Sequence, residues 1–309
     1  MGQERDRDMK LLSIYQNGTI HLGVKTEHGI LDVTGTLTEF PSDGVPGHIS
    51  EILVDERAPL NDLSNYVERI GRQGHFVDES AIEFAPAVPH PNKIIGIGLN
   101  YYGYLEVCGL PKPDFPRIFG KYSETAAAHQ GEVIIPANTM MLDYEGELAV
   151  VIGKTGRLIS EADAMDYVLG YCNTNDLTCR DFQNLTPSWL PGKSCDTFAP
   201  IGPWIVTADE VPDPNALAMK TWVNGELRQD SSTADMIFKV AELISGVSRF
   251  FTLRPGDVFL TGTPAGVVCC QPEELKEKLW LKDGDIVEIE IEKLGKLTNY
   301  VISEKNPVN

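Results

Sequence analysis

The chain has 309 residues, 42% hydrophobic content and a formal charge of -19, enough apolar material for one large core plus a smaller module. That excess of acid argues against nucleic acid or an anionic membrane as partner, and it repels anionic small molecules at long range, so a site for one must carry its own cations. No run approaches the roughly 18 apolar residues of a membrane helix, and Met1 to Met9 is polar rather than a signal peptide, so the cytoplasm is the expected compartment.

Residues 11–15, 19–25 and 30–33 read as short strands joined at Asn17-Gly18 and His28-Gly29, and residues 49–73 carry a helical pattern. Together they predict a small β-rich amino-terminal module over residues 1–88. The proline-rich stretch 84–91 reads as a linker, with a second, larger domain over 89–309. Gly96 and Gly98 suggest a nucleotide loop, but the third glycine of that fingerprint falls on Tyr101, so a dinucleotide is not expected. His129 reads as a turn histidine, with general base as the alternative role.

The segment Asp143-Tyr144-Glu145-Gly146-Glu147, followed by Leu148 to Ile152, places two carboxylates at the mouth of an apolar strand. Side chains at i and i+2 share a face, so Glu145 and Glu147 lie side by side. Burying both requires a cation or a proton between them; a solvated edge strand is the alternative. Oxygen-only ligands select Mg2+, Mn2+ or Ca2+ over zinc. A second strand over 169–175 ends at Asp176, which can supply a third ligand. The polar cluster from Cys179 to Gln183 follows on a turn, where the planar fork of Arg180 suits a substrate carboxylate.

Further along, Gly192-Lys193-Ser194 lies between Trp189 and Phe198, and residues 234–251 are the best predicted helix, with Ile237, Val240, Ile244 and Val247 on one face. Strands at 258–260 and 286–291 follow Pro-Gly-Asp and Asp-Gly-Asp turns. The six cysteines show no C-x-x-C spacing, and reduced buried thiols are the expected state. The overall pattern is α+β and sheet-dominated.

Taken in order, D-Y-E-x-E-L-A-V-V-I-G, N-D-x-T-x-R-D-x-Q, G-K-S-x-D-T and P-G-D-x-x-x-T-G-T-P-x-G-V resemble the fumarylacetoacetate hydrolase family, over residues 89–303. The resemblance implies a mixed β-sandwich roll that usually dimerises, and a metal-dependent enzyme acting on small 2-oxo or 2,4-dioxo acids. It puts the metal on Glu145, Glu147 and Asp176, and substrate on Lys193 and the loop Thr261 to Pro264. Lys121 matches a position where the family often has a substrate-facing lysine. Lys193 and the amides around Gly262 and Thr263 also suit an enolate or a carboxylate chemically. Arg180 and Gln183 complete the expected substrate contacts.

One departure stands out. Where the family's hydrolases carry a lid histidine and, three residues on, a glutamate, this chain has Tyr104 and Val107. Tyrosine, with an ordinary pKa near about 10, donates protons at neutral pH more readily than it accepts them. Glu106 is the nearby carboxylate, rotated by roughly 100° on a helix. Tyr104, Glu106, Lys193 and His129 are therefore the catalytic candidates. The leading expectation is a divalent-metal hydrolase that cleaves a C–C bond in a 2,4-dioxo acid. Decarboxylation or isomerisation of a 2-oxo acid by the same metal-enolate chemistry is the second, and a metal- and ligand-binding homologue with little turnover the third.

Overall fold

The computed structural model describes residues 9–54 and 60–305; all but Met9 of the polar stretch Met1 to Met9, and the part of the helical pattern at 55–59, lie outside them. The strands Lys10–Gln16, Thr19–Thr26 and Gly29–Asp32 form a meander at the expected turns. The helical stretch is two helices, Ile49–Val54 and Leu60–Ile70.

This meander does not stand apart. Lys10 and Leu11 pair antiparallel with Val206 and Ile205 of the strand Ala199–Thr207, so the amino-terminal strands extend the sheet that carries the metal-site motif. From there the sheet runs through Val168–Asn175, Gly146–Ile152, Val258–Leu260, Ile94–Gly98 and Arg117–Lys121. The proline-rich stretch is tied down as well: the Ala85 amide donates to Ser13 and the Ala87 amide to Ile201.

Every residue of Gly146–Ile152 is buried, which explains why its sequence beyond Glu147 is continuously apolar instead of alternating. Leu148, Val150 and Ile152 enter one core with Tyr171, Val206, Met219 and Ile291. Ala149 and Val151 enter another, with Ile52, Leu53, Leu63 and Tyr66 from the two helices. The first core is closed by a five-stranded sheet in the order Glu226–Ser232, Ala218–Val223, Ile286–Ile291, Gly295–Ser303, Glu132–Ile135. The architecture is thus α+β, dominated by mixed sheets.

Two expectations are corrected. The helix expected over 234–251 is confined to Val240–Ser248. The amides of Ile237 and Phe238 are drawn to the carbonyl and side-chain oxygens of Asn100, both at 2.8 Å, which holds those residues out of the helix. The cysteines are not all reduced: Cys108 and Cys270, 162 positions apart, form a disulfide, leaving Cys172, Cys179, Cys195 and Cys269 free.

Candidate active site

Strand pairing builds the carboxylate cluster. Gly146 lies opposite Asn175, so Glu145 and Asp176 sit at the same end of adjacent strands. The Asp176 amide donates to the Glu145 carbonyl at 2.9 Å, and the Glu145 amide to Asn175 Oδ1 at 2.8 Å. Ligand oxygens of Glu145, Glu147 and Asp176 lie within 4.8 Å of one another, and all three residues are buried. Two like charges at that separation repel by on the order of 3 kcal/mol at an effective dielectric constant of about 20. Such a cluster persists only with positive charge among it.

Much of that charge is present. Lys193, at the end of the short helix Leu190–Lys193, places Nζ 2.6 Å from Glu145 Oε2 and 2.6 Å from Asp176 Oδ2. Lys121 Nζ lies 2.5 Å from Asp176 Oδ1. Arg180 donates through Nε to Asp143 Oδ2 at 2.9 Å, through a terminal nitrogen to Glu145 Oε1 at 2.5 Å, and through the other to Gln183 Oε1 at 3.2 Å. Asp143 in turn accepts the amides of Val268 and Cys269. The guanidinium expected to face a substrate carboxylate is therefore committed to the protein's own acids.

Glu147 is the exception. The Gly262 amide donates to its Oε2 at 2.7 Å, and it has no ion pair among the described residues. Burial, then Asp176 and Glu145, push its pKa well above the ordinary carboxylate range. Asp176 shows the opposite balance: burial pushes its pKa up, but Lys121 and Lys193 overcome this and hold it down. Counting Asp143, four buried carboxylates face three cations. The residues fit a divalent ion: the donors are all oxygen, they converge, and one carboxylate lacks a counter-charge.

The cluster forms the floor of a cavity of about 970 Å3, whose walls include Tyr104, Phe119, Trp189, Thr263 and Cys269. Tyr104 projects from the lid helix Tyr102–Cys108, with its hydroxyl 3.6 Å from Cys269 Sγ. Burial raises the pKa of this phenol, Arg180 opposes the rise, and Cys269 and Glu145 add to it, so Tyr104 is a neutral donor. Thr263 donates its hydroxyl to the Gly146 carbonyl and accepts from Gln229. The Gly262 amide, expected to face substrate, serves Glu147 instead.

Two catalytic candidates fall elsewhere. Glu106 is exposed and does not line the cavity. His129 packs edge-on against Phe84 and accepts the Thr298 amide at Nδ1, 3.1 Å away, also outside the cavity lining. The sequence reading missed Asp143, Cys269, Phe119 and Arg117 as site residues. Only Asp143 carried a signal, as the first residue of the paired-glutamate motif.

Residues 93–302 match the domain described as fumarylacetoacetate (FAA) hydrolase, C-terminal. The Bos taurus protein named oxaloacetate tautomerase FAHD2B, mitochondrial, is 37% identical over 302 residues, spanning 96% of this chain and 92% of the relative. Among solved structures, fumarylacetoacetate hydrolase from Exiguobacterium antarcticum superposes with a TM-score of 0.80 at 33% identity, covering 96% of this chain and 100% of the other. Maleylpyruvate hydrolase from Sphingobium sp. SYK-6, solved with manganese(II) and pyruvate, gives 0.76 at 29% identity with the same coverage.

Proposed function

The chain belongs to the fumarylacetoacetate hydrolase family, and on that footing we propose that it interconverts the keto and enol forms of a small 2-oxo diacid, with oxaloacetate as the test substrate. The observation that carries this reading is the lid position above the triad, filled by a neutral phenol. Among the described residues no histidine lines the cavity; of the carboxylates in its lining, Asp181 is held by Thr139, Glu273 by Lys276, and Glu145 and Asp176 by Lys193, and Glu147 is held by the Gly262 amide. Hydrolysis of a C–C bond needs a base that activates a bound water as nucleophile, whereas tautomerisation needs no nucleophile: the proton leaving carbon can pass to solvent water while a neutral donor serves the oxygen.

Glu145, Glu147 and Asp176 would hold the divalent ion, taken here as Mg2+, which when bound would polarise the keto group of the acid. Lys193 and Lys121 hold the carboxylates in place and offset their repulsion. Gln183, whose side-chain oxygen accepts from Arg180, lines the cavity and orients the substrate carboxylate through its amide nitrogen. Tyr104 donates its hydroxyl hydrogen bond to the oxygen on which charge develops as solvent water takes the proton from carbon, and a proton returned to that oxygen completes the enol. A homodimer in the cytoplasm completes the reading. Among the described residues no helix is long and apolar enough to cross a membrane, and the cited bovine relative is named as mitochondrial.

C–C hydrolysis of a 2,4-dioxo acid is the second reading, favoured by the likeness to a maleylpyruvate hydrolase. The experiment that separates the two follows enol loss, carbon dioxide and carboxylic acid products with Mg2+ or Mn2+ present. Faster equilibration of oxaloacetate at unchanged mass supports tautomerisation. Two shorter acids from an acylpyruvate, or pyruvate and carbon dioxide from oxaloacetate, would replace it with hydrolase or decarboxylase.

A further inference from the structure

Gly96 and Gly98 share one face of the strand Ile94–Gly98 and lie opposite Phe119 and Arg117 of its neighbour. Both glycines make room for aromatic rings. A Cβ on Gly96 would stand 2.2 Å from the Phe119 ring, and one on Gly98 would stand 2.7 Å from the Trp189 ring. The Gly-x-Gly pair therefore seats an aromatic wall and not a phosphate.

The wall has a cation at each end. Lys193 Nζ lies 4.9 Å from the Phe119 ring centre, Phe119 and Trp189 pack edge to face at 5.6 Å, and the Arg117 guanidinium lies 4.9 Å from the Trp189 ring. Trp189 is held in the left-handed region, φ 63°, where bulky residues are uncommon, and its carbonyl accepts the Gly192 and Lys193 amides. The indole is thus fixed relative to the metal-site lysine.

The two ends differ in one respect. Lys193 is neutralised by Glu145 and Asp176, as Arg180 is by Asp143 and Glu145 and Lys276 by Glu273. Arg117 is exposed in the cavity lining, stacked on Trp189, and makes no ion pair among the described residues. In a chain of charge -19, an arginine left without an acid at the mouth of an acid-binding cavity is available to an incoming anion.

We propose that Arg117, held by Trp189, anchors a second, distal carboxylate of the substrate, and that the Phe119–Trp189 wall sets the chain length between the two acid groups. This rests on the reading that the head of a 2-oxo acid sits at the triad. Two ring contacts and a ring-to-ring step, 4.9, 5.6 and 4.9 Å, lie between Lys193 and Arg117, which favours diacids longer than four carbons, and the cavity volume of about 970 Å3 is near the upper end of the roughly 300–1,000 Å3 of small-molecule sites.

The test uses two acids of equal length that differ only at the far end, 2-oxohexanoate and 2-oxoadipate, with binding to the Mg2+-loaded protein measured by calorimetry. The diacid should bind about five- to tenfold more tightly than the monoacid. In R117A the ratio should fall close to one, in R117K it should be intermediate, and in G98A, where the indole is pushed aside, it should also fall. Equal affinities in the wild type, binding of neither acid, or a preference that survives in R117A would overturn the proposal. A preference abolished by R117A, in a protein that fails to tautomerise oxaloacetate, would refute the proposed reaction and support the distal anchor.

Discussion

The Tyr104 hydroxyl and the Cys269 thiol lie 3.6 Å apart across the cavity, one on the lid helix and the other in the turn that follows the Thr-Gly-Thr-Pro loop. Neither is a base at neutral pH: burial, the largest influence on each, raises both above their ordinary values. Replacing Tyr104 by Phe removes the donor and keeps the ring. The expected result is a fall in kcat of at least about tenfold with KM little changed. Because the phenol pKa is raised, the wild-type profile should show no descending limb from this group below pH about 10. A smaller loss makes Tyr104 a packing residue of the lid.

Glu147 yields a prediction in which stability and metal binding move in opposite directions. Its carboxylate is buried beside two others and accepts the Gly262 amide. Glu147→Gln keeps the shape and an acceptor for Gly262 while removing the charge. In metal-free buffer the variant should melt higher than the wild type, by about 2–4 °C for each kcal/mol of repulsion relieved. Added Mg2+ or Mn2+ should then raise the melting temperature of the wild type and leave the variant unmoved. A wild type indifferent to both ions removes the metal from the mechanism.

The triad was legible because two simple rules converge on it. Period two places Glu145 beside Glu147, and the second apolar strand runs into Asp176. What surrounds it was not legible, since Lys121, Arg180 and Asp143 meet only through strand pairing. Arg180 was read correctly as a carboxylate binder, but the carboxylates are those of Asp143 and Glu145. The helix begins late because Asn100, far away in sequence, captures two amides that local periodicity assigned to a helix. The amino-terminal strands read as a separate module because their apolar pattern cannot say which strand they will pair with. The disulfide left no trace in spacing, since its cysteines are 162 positions apart.

That disulfide ties the end of the lid helix to the turn whose Val268 and Cys269 amides hold Asp143. Denatured without reductant, the oxidised protein should expose four titratable thiols, and six after reduction. Cys108→Ser should lower stability by about 2–5 kcal/mol, because closing a long loop restricts the unfolded chain. Urea unfolding with and without dithiothreitol measures it: the reductant should move the wild type onto the variant's curve. Six thiols before reduction would show that the bridge does not form.

His129 separates a structural histidine from a catalytic one. Its Nδ1 accepts an amide hydrogen from Thr298, so the ring is neutral, and burial lowers its pKa from 6.5 to about 4, against a smaller opposing pull from Glu79. Above pH 6.5 neither the folded nor the unfolded form carries the proton. Below that, the unfolded chain takes it up and the fold does not, so stability is lost as pH falls from about 6.5 to about 4. The loss attributable to this ring is at most about 3 kcal/mol, or on the order of 10 °C. His129→Gln should flatten that part of the melting profile and leave kcat within about twofold, since the ring does not line the cavity. A variant that keeps the acid slope but loses turnover would reverse the assignment, because a base reaching the substrate alters the chemistry while a buried neutral ring alters only the fold.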